Sequence, residues 1–263
     1  MEQRMNFQYA IVKKPASTYS QGITSGLFGV PDYELTLAQH QAYCQALEQC
    51  GVKVIVLPPD ERFPDSTFVE DTAIVGKGFT VITNPGDDRR KGEIQAVEEA
   101  IKTISFFERI YSIVLPGTVD GGDICEADGH YFIGISHRTN QAGAEQLAEF
   151  LSKEGFSSTF VDIRNIPSLL HLKSGMAYLR NGEMILVEEL EHKDIFKNYV
   201  KIRVEPNESY AANCILVNDK LLFAQGFPKI QSILEKRGYD LMLLNMSEFR
   251  KMDGGLSCLS LRF

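Results

Sequence analysis

Positive charge is in deficit: Lys and Arg number 27 against 35 Asp and Glu in 263 residues, a net charge of −8. Such a chain repels a nucleic-acid backbone or an anionic membrane surface and attracts a small cation. Long apolar runs are missing too. Stretches such as 54–57 and 185–187 are strand-sized, far short of the roughly eighteen residues of a membrane span. Residues 1–20 set Glu2, Gln3, Lys13 and Lys14 around a short apolar stretch, with no leader core or small-residue cleavage site, so export is not expected. Five cysteines, Cys44, Cys50, Cys125, Cys214 and Cys258, are odd in number and lack a CxxC pair, which excludes a disulfide framework and a zinc knuckle. These absences predict a soluble protein of the reducing cytoplasm. What is present, 44% hydrophobic and 24% charged residues, is the composition of a globular chain with a sizeable core.

Turn chemistry exposes a repeat. Gly76-Lys77-Gly78, Asp128-Gly129, Asn181-Gly182 and Asn218-Asp219 each sit between β-rich segments and predict hairpins. Helix-period stretches at 92–104, 142–154 and 229–237, with a shorter one at 194–199, follow these hairpins, and a further helix is expected over 33–50. Each gives way to a short apolar strand: 53–57, 111–115, 158–163, 200–204 and 239–244. Strands at 8–13 and 258–263 complete a split fifth hairpin. The pattern therefore predicts five ββαβ units in a pseudo-fivefold ring closed by the terminal strands, a five-bladed α/β propeller forming one domain over residues 1–263. Polar residues gather where each hairpin's first strand begins, which is where chemistry is expected.

Cys258 stands at one such point, in Asp-Gly-Gly-Leu-Ser-Cys after a glycine pair that admits close backbone approach. The other four cysteines lie on a helix or within strands, the ordinary setting of a core thiol. A thiol of pKa about 8.5 needs a nearby cation or proton acceptor to act as a nucleophile. His171, in Leu-Leu-His-Leu-Lys-Ser-Gly, is the natural partner, since His40, His130, His137 and His192 lie on a helix, at a turn or among charges. Asp120 and Asp123, in Thr-Val-Asp-Gly-Gly-Asp, are either turn formers or the carboxylate that orients the histidine. Asp65, Glu70 and Asp71 lie close to Phe63 and Phe68, ahead of a strand, and suit a planar cation such as guanidinium. Arg90 and Arg138 suit a carboxylate by the reverse geometry. Together these groups point to an amino acid bearing a guanidine.

In these motifs the chain resembles the dimethylarginine dimethylaminohydrolases of the guanidino-modifying (pentein) superfamily. The likeness runs through LPPDERFPDSTFVED at 57–71, the Arg-Arg-Lys segment, GTVDGGDI at 117–124, RTNQAGAE at 138–145, HLKSG at 171–175, ESYAANC at 208–214 and RKMDGGLSCLSLRF at 250–263. The resemblance implies a five-bladed α/β propeller with Cys258 as nucleophile, His171 as general acid and base and Asp120 orienting it. It also implies that Asp71 meets the guanidinium with Glu70 beside it. Asp65 and the backbone of Ile23 would take the substrate amino group, and Arg90 and Arg138 its carboxylate. Met252 would contact substrate through its backbone, Asp253 would be a further acid near the reactive carbon, and Ile23 would ride on a lid hinged at Gly22, Gly26 and Gly29.

The implied reaction is hydrolysis of Nω-methylated or dimethylated L-arginine to L-citrulline and methylamine or dimethylamine through a thiouronium on Cys258, without metal or cofactor. The implied partner is that small molecule, with no nucleic acid or membrane, and a homodimer is left open. Two other readings are an arginine or agmatine deiminase on the same fold, and a non-catalytic propeller that binds. The second gives no reason to keep Cys258, His171, Asp120 and Asp71 together.

Overall fold

The anticipated hairpin tips are where the backbone turns left-handed. Asp128, Asn181 and Asn218 have φ of 50°, 54° and 55°, with Gly129 and Gly182 following at 81° and 73°, the geometry for which Asn, Asp and Gly are suited. In this computed structural model residues 6–104 and 106–263 are described. They form five three-stranded sheets of one design: an antiparallel hairpin, then a helix that returns the chain to a parallel third strand.

The chain divides into two compact units, residues 1–69 with 214–263 and residues 70–213. The first unit opens with β1 (Tyr9–Lys13), α1 (Tyr33–Gln49) and β2 (Lys53–Leu57). The second holds three whole modules. These are β3 (Ala73–Gly76), β4 (Phe79–Ile82), α2 (Ile94–Thr103) and β5 (Arg109–Ser112); β6 (Ile124–Ala127), β7 (His130–Ile135), α3 (Gln141–Lys153) and β8 (Ser157–Asp162); and β9 (Met176–Tyr178), β10 (Glu183–Val187), α4 (Glu188–Glu191) and β11 (Val200–Val204). The first unit resumes with β12 (Ile215–Val217), β13 (Lys220–Ala224), α5 (Pro228–Lys236), β14 (Asp240–Leu244), α6 (Ser247–Lys251) and β15 (Leu261–Arg262). Within it β15 pairs antiparallel with β1, Ile11 opposite Leu261, so the terminal strands make the split hairpin that the pattern predicts.

Caps set the helix ends. Asp32 accepts the Leu35 N–H at 2.8 Å to start α1, Asn140 accepts that of Gly143 at 2.8 Å to start α3, and Pro228 occupies the first turn of α5. The middle strands β1, β4, β7, β10 and β13 are almost wholly buried, while the third strands are edges with half-exposed faces. In the second unit Phe79, Ile133, Leu147 and Leu151 pack into one apolar cluster without exposed surface. Each such side chain contributes roughly 1.5–3 kcal/mol by leaving water.

Three boundaries differ by three residues from those expected. β5 begins at Arg109 and ends at Ser112, because its register is set by β4 (Phe79 opposite Arg109) and the apolar Val114 and Leu115 beyond it are exposed. In the fourth module the helix is α4, with only a single 3-10 turn at Asp194–Phe196 where 194–199 is expected. Cys258 lies in a 3-10 turn, Ser257–Leu259, and β15 starts after it. No helix among the described residues is long and apolar enough to cross a membrane. Glu2 and Gln3, part of the leader reading, lie outside the described residues.

Candidate active site

In the second unit, His171 has extended backbone and caps the 3-10 turn Leu172–Ser174, and Ser174 Oγ accepts its backbone N–H at 3.3 Å. Its Nε2 lies 3.1 Å from Asp120 Oδ2, both side chains being buried. Asp120 Oδ1 accepts the Gly86 N–H at 2.8 Å. Asp71 is held from two sides: Gly122 N donates to Oδ1 at 2.8 Å and Arg90 Nη1 to Oδ2 at 2.5 Å. The glycine pair between Asp120 and Asp123 is there for approach as much as for turning. A Cβ on Gly122 would stand 2.7 Å from His171 Nδ1 and 3.0 Å from Asp71 Oδ1, and one on Gly121 would meet the Glu70 carbonyl at 1.9 Å.

Burial alone would lower the His171 imidazole, but the charge of Asp71, the Asp120 hydrogen bond and the charges of Asp123 and Asp120 raise it to about 9. Burial likewise opposes ionisation of Asp71, yet His171 and Arg90 hold it down to about 2. At neutral pH the arrangement is an imidazolium flanked by carboxylates, a proton donor ready for a leaving group. Asp71, Asp120 and His171 also place one ligand atom each within 4.8 Å of one another. Arg90 and the protonated ring already supply the positive charge there, which disfavours a metal ion in this donor set.

Arg90 is buried, and beyond Asp71 it gives Nε and Nη2 to Glu93 Oε2 at 3.0 and 2.8 Å. The guanidinium expected to meet a carboxylate is thus engaged with two acids of its own chain. Arg138 differs. Its Nη1 is 3.5 Å from Asp87 Oδ2, whose oxygens already take Arg89, and has no hydrogen-bond partner among the described residues. A buried donor short of an acceptor suits an incoming anion. Glu70 pairs with Lys173 Nζ at 2.5 Å, and Asn213 Nδ2 donates to the Lys173 carbonyl at 3.0 Å. Glu93 and Lys173 are partners that sequence reasoning did not single out. For Glu93 the available signal is its place three residues after Arg90.

In the first unit, Cys258 is half-buried, and Gly255 N points at its Sγ at 3.4 Å, a contact that a thiolate accepts. Cys44 and Cys50 are also half-buried, but burial pushes both thiols up to about 11, as it does that of Cys125. Asp65 accepts the Ile23 N–H at 3.0 and 3.2 Å. Gly22 permits this: a Cβ there would stand 2.4 Å from Asp65 Oδ1 and 3.1 Å from the Met252 methyl. Met252 is buried. Asp253, at φ 57°, accepts the Ser25 backbone N–H at 2.5 Å and its hydroxyl at 2.8 Å. Gly26 and Gly29 have positive φ, and between and beyond them Leu27, Phe28 and Val30 are exposed.

The family described as N,N dimethylarginine dimethylhydrolase, eukaryotic, matches residues 32–210. A Pseudomonas aeruginosa N(G),N(G)-dimethylarginine dimethylaminohydrolase is 41% identical over 98% of this chain and 100% of its own. The chain belongs to the dimethylarginine dimethylaminohydrolase family. A Streptomyces coelicolor dimethylarginine dimethylaminohydrolase is 31% identical over 96% of both chains. A cysteine-to-serine mutant of the Pseudomonas aeruginosa protein complexed with citrulline superposes with a TM-score of 0.95, at 40% identity over 98% of this chain and all of that one. A dimethylarginine dimethylaminohydrolase adduct with S-methyl-L-thiocitrulline gives 0.94 at 41% identity over the same shares. The N-terminal domain of ArgZ, an arginine dihydrolase, gives 0.86 over 98% of both chains at 17% identity, a likeness of fold alone. The α/β-propeller class expected from the five modules is borne out by these likenesses.

Proposed function

We propose that the protein hydrolyses Nω-methylated and Nω,Nω-dimethylated L-arginine to L-citrulline and methylamine or dimethylamine. The observation that carries this reading is the buried His171–Asp120 pair at 3.1 Å, in a chain 41% identical to a dimethylarginine dimethylaminohydrolase across that protein's whole length. Cys258 is the nucleophile. Its thiolate attacks the guanidinium carbon, a poor electrophile because resonance spreads its charge, so orientation of the bound cation matters more than collision frequency. Asp71 and Asp253 hold the cation, with Glu70 beside Asp71. His171, kept protonated by its acids, gives its proton to the departing amine as the C–N bond breaks, leaving a cationic thiouronium on Cys258. The neutral ring then takes a proton from water, whose oxygen adds to the same carbon. Collapse of that adduct releases its hydroxyl proton to solvent and breaks the C–S bond, giving citrulline and the thiolate.

Asp65 with the backbone of Ile23 receives the substrate amino group, and Met252 contributes its backbone. Arg138 meets the carboxylate through its under-used Nη1, and Arg90 supports it by holding Asp71 in place. No cofactor or metal enters these steps. In this reading the partner is a small molecule, not a nucleic acid or a membrane. The chain works in the cytoplasm as one hydrolase domain over residues 1–263, alone or as a homodimer.

The test is citrulline release from asymmetric dimethylarginine, monomethylarginine, arginine and agmatine, with wild type and Cys258→Ser in parallel. Turnover of the methylated substrates is expected, falling roughly a thousandfold or more in Cys258→Ser. Faster release of ammonia from arginine than of dimethylamine from dimethylarginine would assign the chain to the deiminases instead.

A further inference from the structure

Asp123 has no exposed surface and takes no part in the steps above, yet two segments that carry site residues converge on its carboxylate. Oδ1 accepts the backbone N–H of Leu172, the residue after His171, at 3.0 Å. Oδ2 accepts the hydroxyls of Ser136 and Thr139, each at 2.7 Å. Those hydroxyls are acceptors in turn. Thr139 Oγ1 takes the backbone N–H of Asp120 at 3.1 Å, and Ser136 Oγ takes those of Arg138 and Thr139 at 2.9 and 3.0 Å. The Asp123 N–H itself donates to the Asp120 carbonyl at 3.0 Å. Space for this junction comes from β7, where a Cβ on Gly134 would stand 2.9 Å from Asp123 Oδ1 and 3.0 Å from Leu172 Cβ.

We propose that Asp123 is a positioning residue for the reaction: its carboxylate fixes the His171 ring against Asp120 and sets the Arg138 loop, without touching substrate. This rests on the hydrolase reading above. The chemistry explains why a carboxylate stands there. A hydroxyl that accepts backbone N–H groups has one proton left to give, and Ser136 and Thr139 both direct it at Oδ2, so the junction needs an acceptor for three donors. An amide in the same place would turn one of its two polar atoms into a donor. Burial raises Asp123 to about 6 against the pull of His171 and the two hydroxyls, so its ionisation is costly. A residue that only filled space would be apolar.

The test combines kinetics of dimethylarginine hydrolysis with an NMR titration of the His171 ring, on the full chain as wild type, Asp123→Asn, Thr139→Val and Thr139→Ser. Loss of positioning is expected to lower kcat about tenfold or more in Asp123→Asn and Thr139→Val while KM stays within about threefold, since misplacement costs the chemical step before it costs binding. Thr139→Ser, which keeps the hydroxyl, is expected to remain close to wild type in kcat. The His171 midpoint in Asp123→Asn is expected below that of wild type. Wild-type kcat in Asp123→Asn and Thr139→Val, or equal losses in Thr139→Ser and Thr139→Val, would overturn the proposal. If Asp123→Asn does not fold, the Thr139 pair decides by itself. If the wild type turns over no guanidine, the hydrolase reading fails, and the ring titration alone judges the positioning: a His171 midpoint unchanged in Asp123→Asn and a His171 signal unaltered in Thr139→Val overturns it.

Discussion

The proton on His171 is what makes the second unit an acid. Because its folded pKa of about 9 lies above the ordinary 6.5, the protonated ring stabilises the fold fully below pH 6.5, and that contribution is lost as the pH rises through about 9. Asp71 works from the other side: held at about 2 against an ordinary 3.8, it contributes above pH 3.8 and loses its share as the pH falls through about 2. Thermal unfolding across pH should therefore show the wild type's advantage over His171→Asn shrinking from about pH 6.5 upward and gone above about pH 9. In kinetics, kcat/KM for dimethylarginine is expected to fall above about pH 9 as the leaving group's acid is lost, and Asp120→Asn should move that fall to lower pH. A fall at the same pH in that variant would show that Asp120 does not hold the ring's proton. At this scale Cys258 and His171 stood out as candidates in the sequence because few residue types can do the proposed chemistry. The engagement of Arg90 was not, since an arginine that binds a carboxylate and one buried among its own acids look alike until Glu93 and Asp71 are seen around it.

Gly143 sets two element-level preferences against each other. In a helix interior, alanine is ordinarily favoured over glycine by about 1 kcal/mol. In α3, however, a Cβ at this position would meet the backbone carbonyl oxygen of Thr118 at 2.1 Å, and that backbone is itself tied to Asn140. Gly143→Ala is therefore expected to destabilise by roughly 1–3 kcal/mol or more, as overpacking does, and a urea midpoint above wild type would refute it. Asn218 is the complementary case. It turns left-handed at φ 55° while its side chain accepts the Phe7 N–H at 2.8 Å and donates to the carbonyls of Phe7 and Cys50 at 3.2 and 2.8 Å. Asn218→Ala should cost about 2–4 kcal/mol in the same assay, from the strained φ and the lost bonds together. The hairpin tips could be read from sequence because Asn, Asp and Gly answer a backbone requirement. The end of β5 could not, because Val114 and Leu115 are as apolar as the strand they follow and only the register with β4 excludes them.

Across the whole chain, one sheet depends on residues from both ends. Phe263 O accepts the N–H groups of Gln8 and Tyr9 at 2.8 Å each, its N–H reaches Tyr9 O at 3.0 Å, and its ring stacks on Tyr9 with centroids 5.7 Å apart. Leu261 and Phe263 are buried. Two large apolar side chains at about 1.5–3 kcal/mol each and three hydrogen bonds at about 1 kcal/mol each approach the total stability of an ordinary domain, about 5–15 kcal/mol. Removing residues 261–263 is therefore expected to abolish cooperative urea unfolding of the first unit, and a midpoint within experimental error of wild type would contradict this. The repeat that predicted this pairing was legible because each module follows the same order of turn, helix and strand. The division into two compact units left no such mark in composition.

That pairing also imposes an order on biosynthesis. Residues 70–213 are continuous and complete their three sheets from neighbouring sequence, whereas β1 must wait unpaired on one side until β15 leaves the ribosome. About 250 residues separate the two strands, which at about 5–20 residues per second is a delay of roughly 10–50 s. The segment bearing His171 and Asp120 can be in place during that interval, while the turn that presents Cys258 is made only just before β15. In the proposed reaction, a nascent chain thus acquires its acid before its nucleophile, whose turn is set only when the strand beside it has been made.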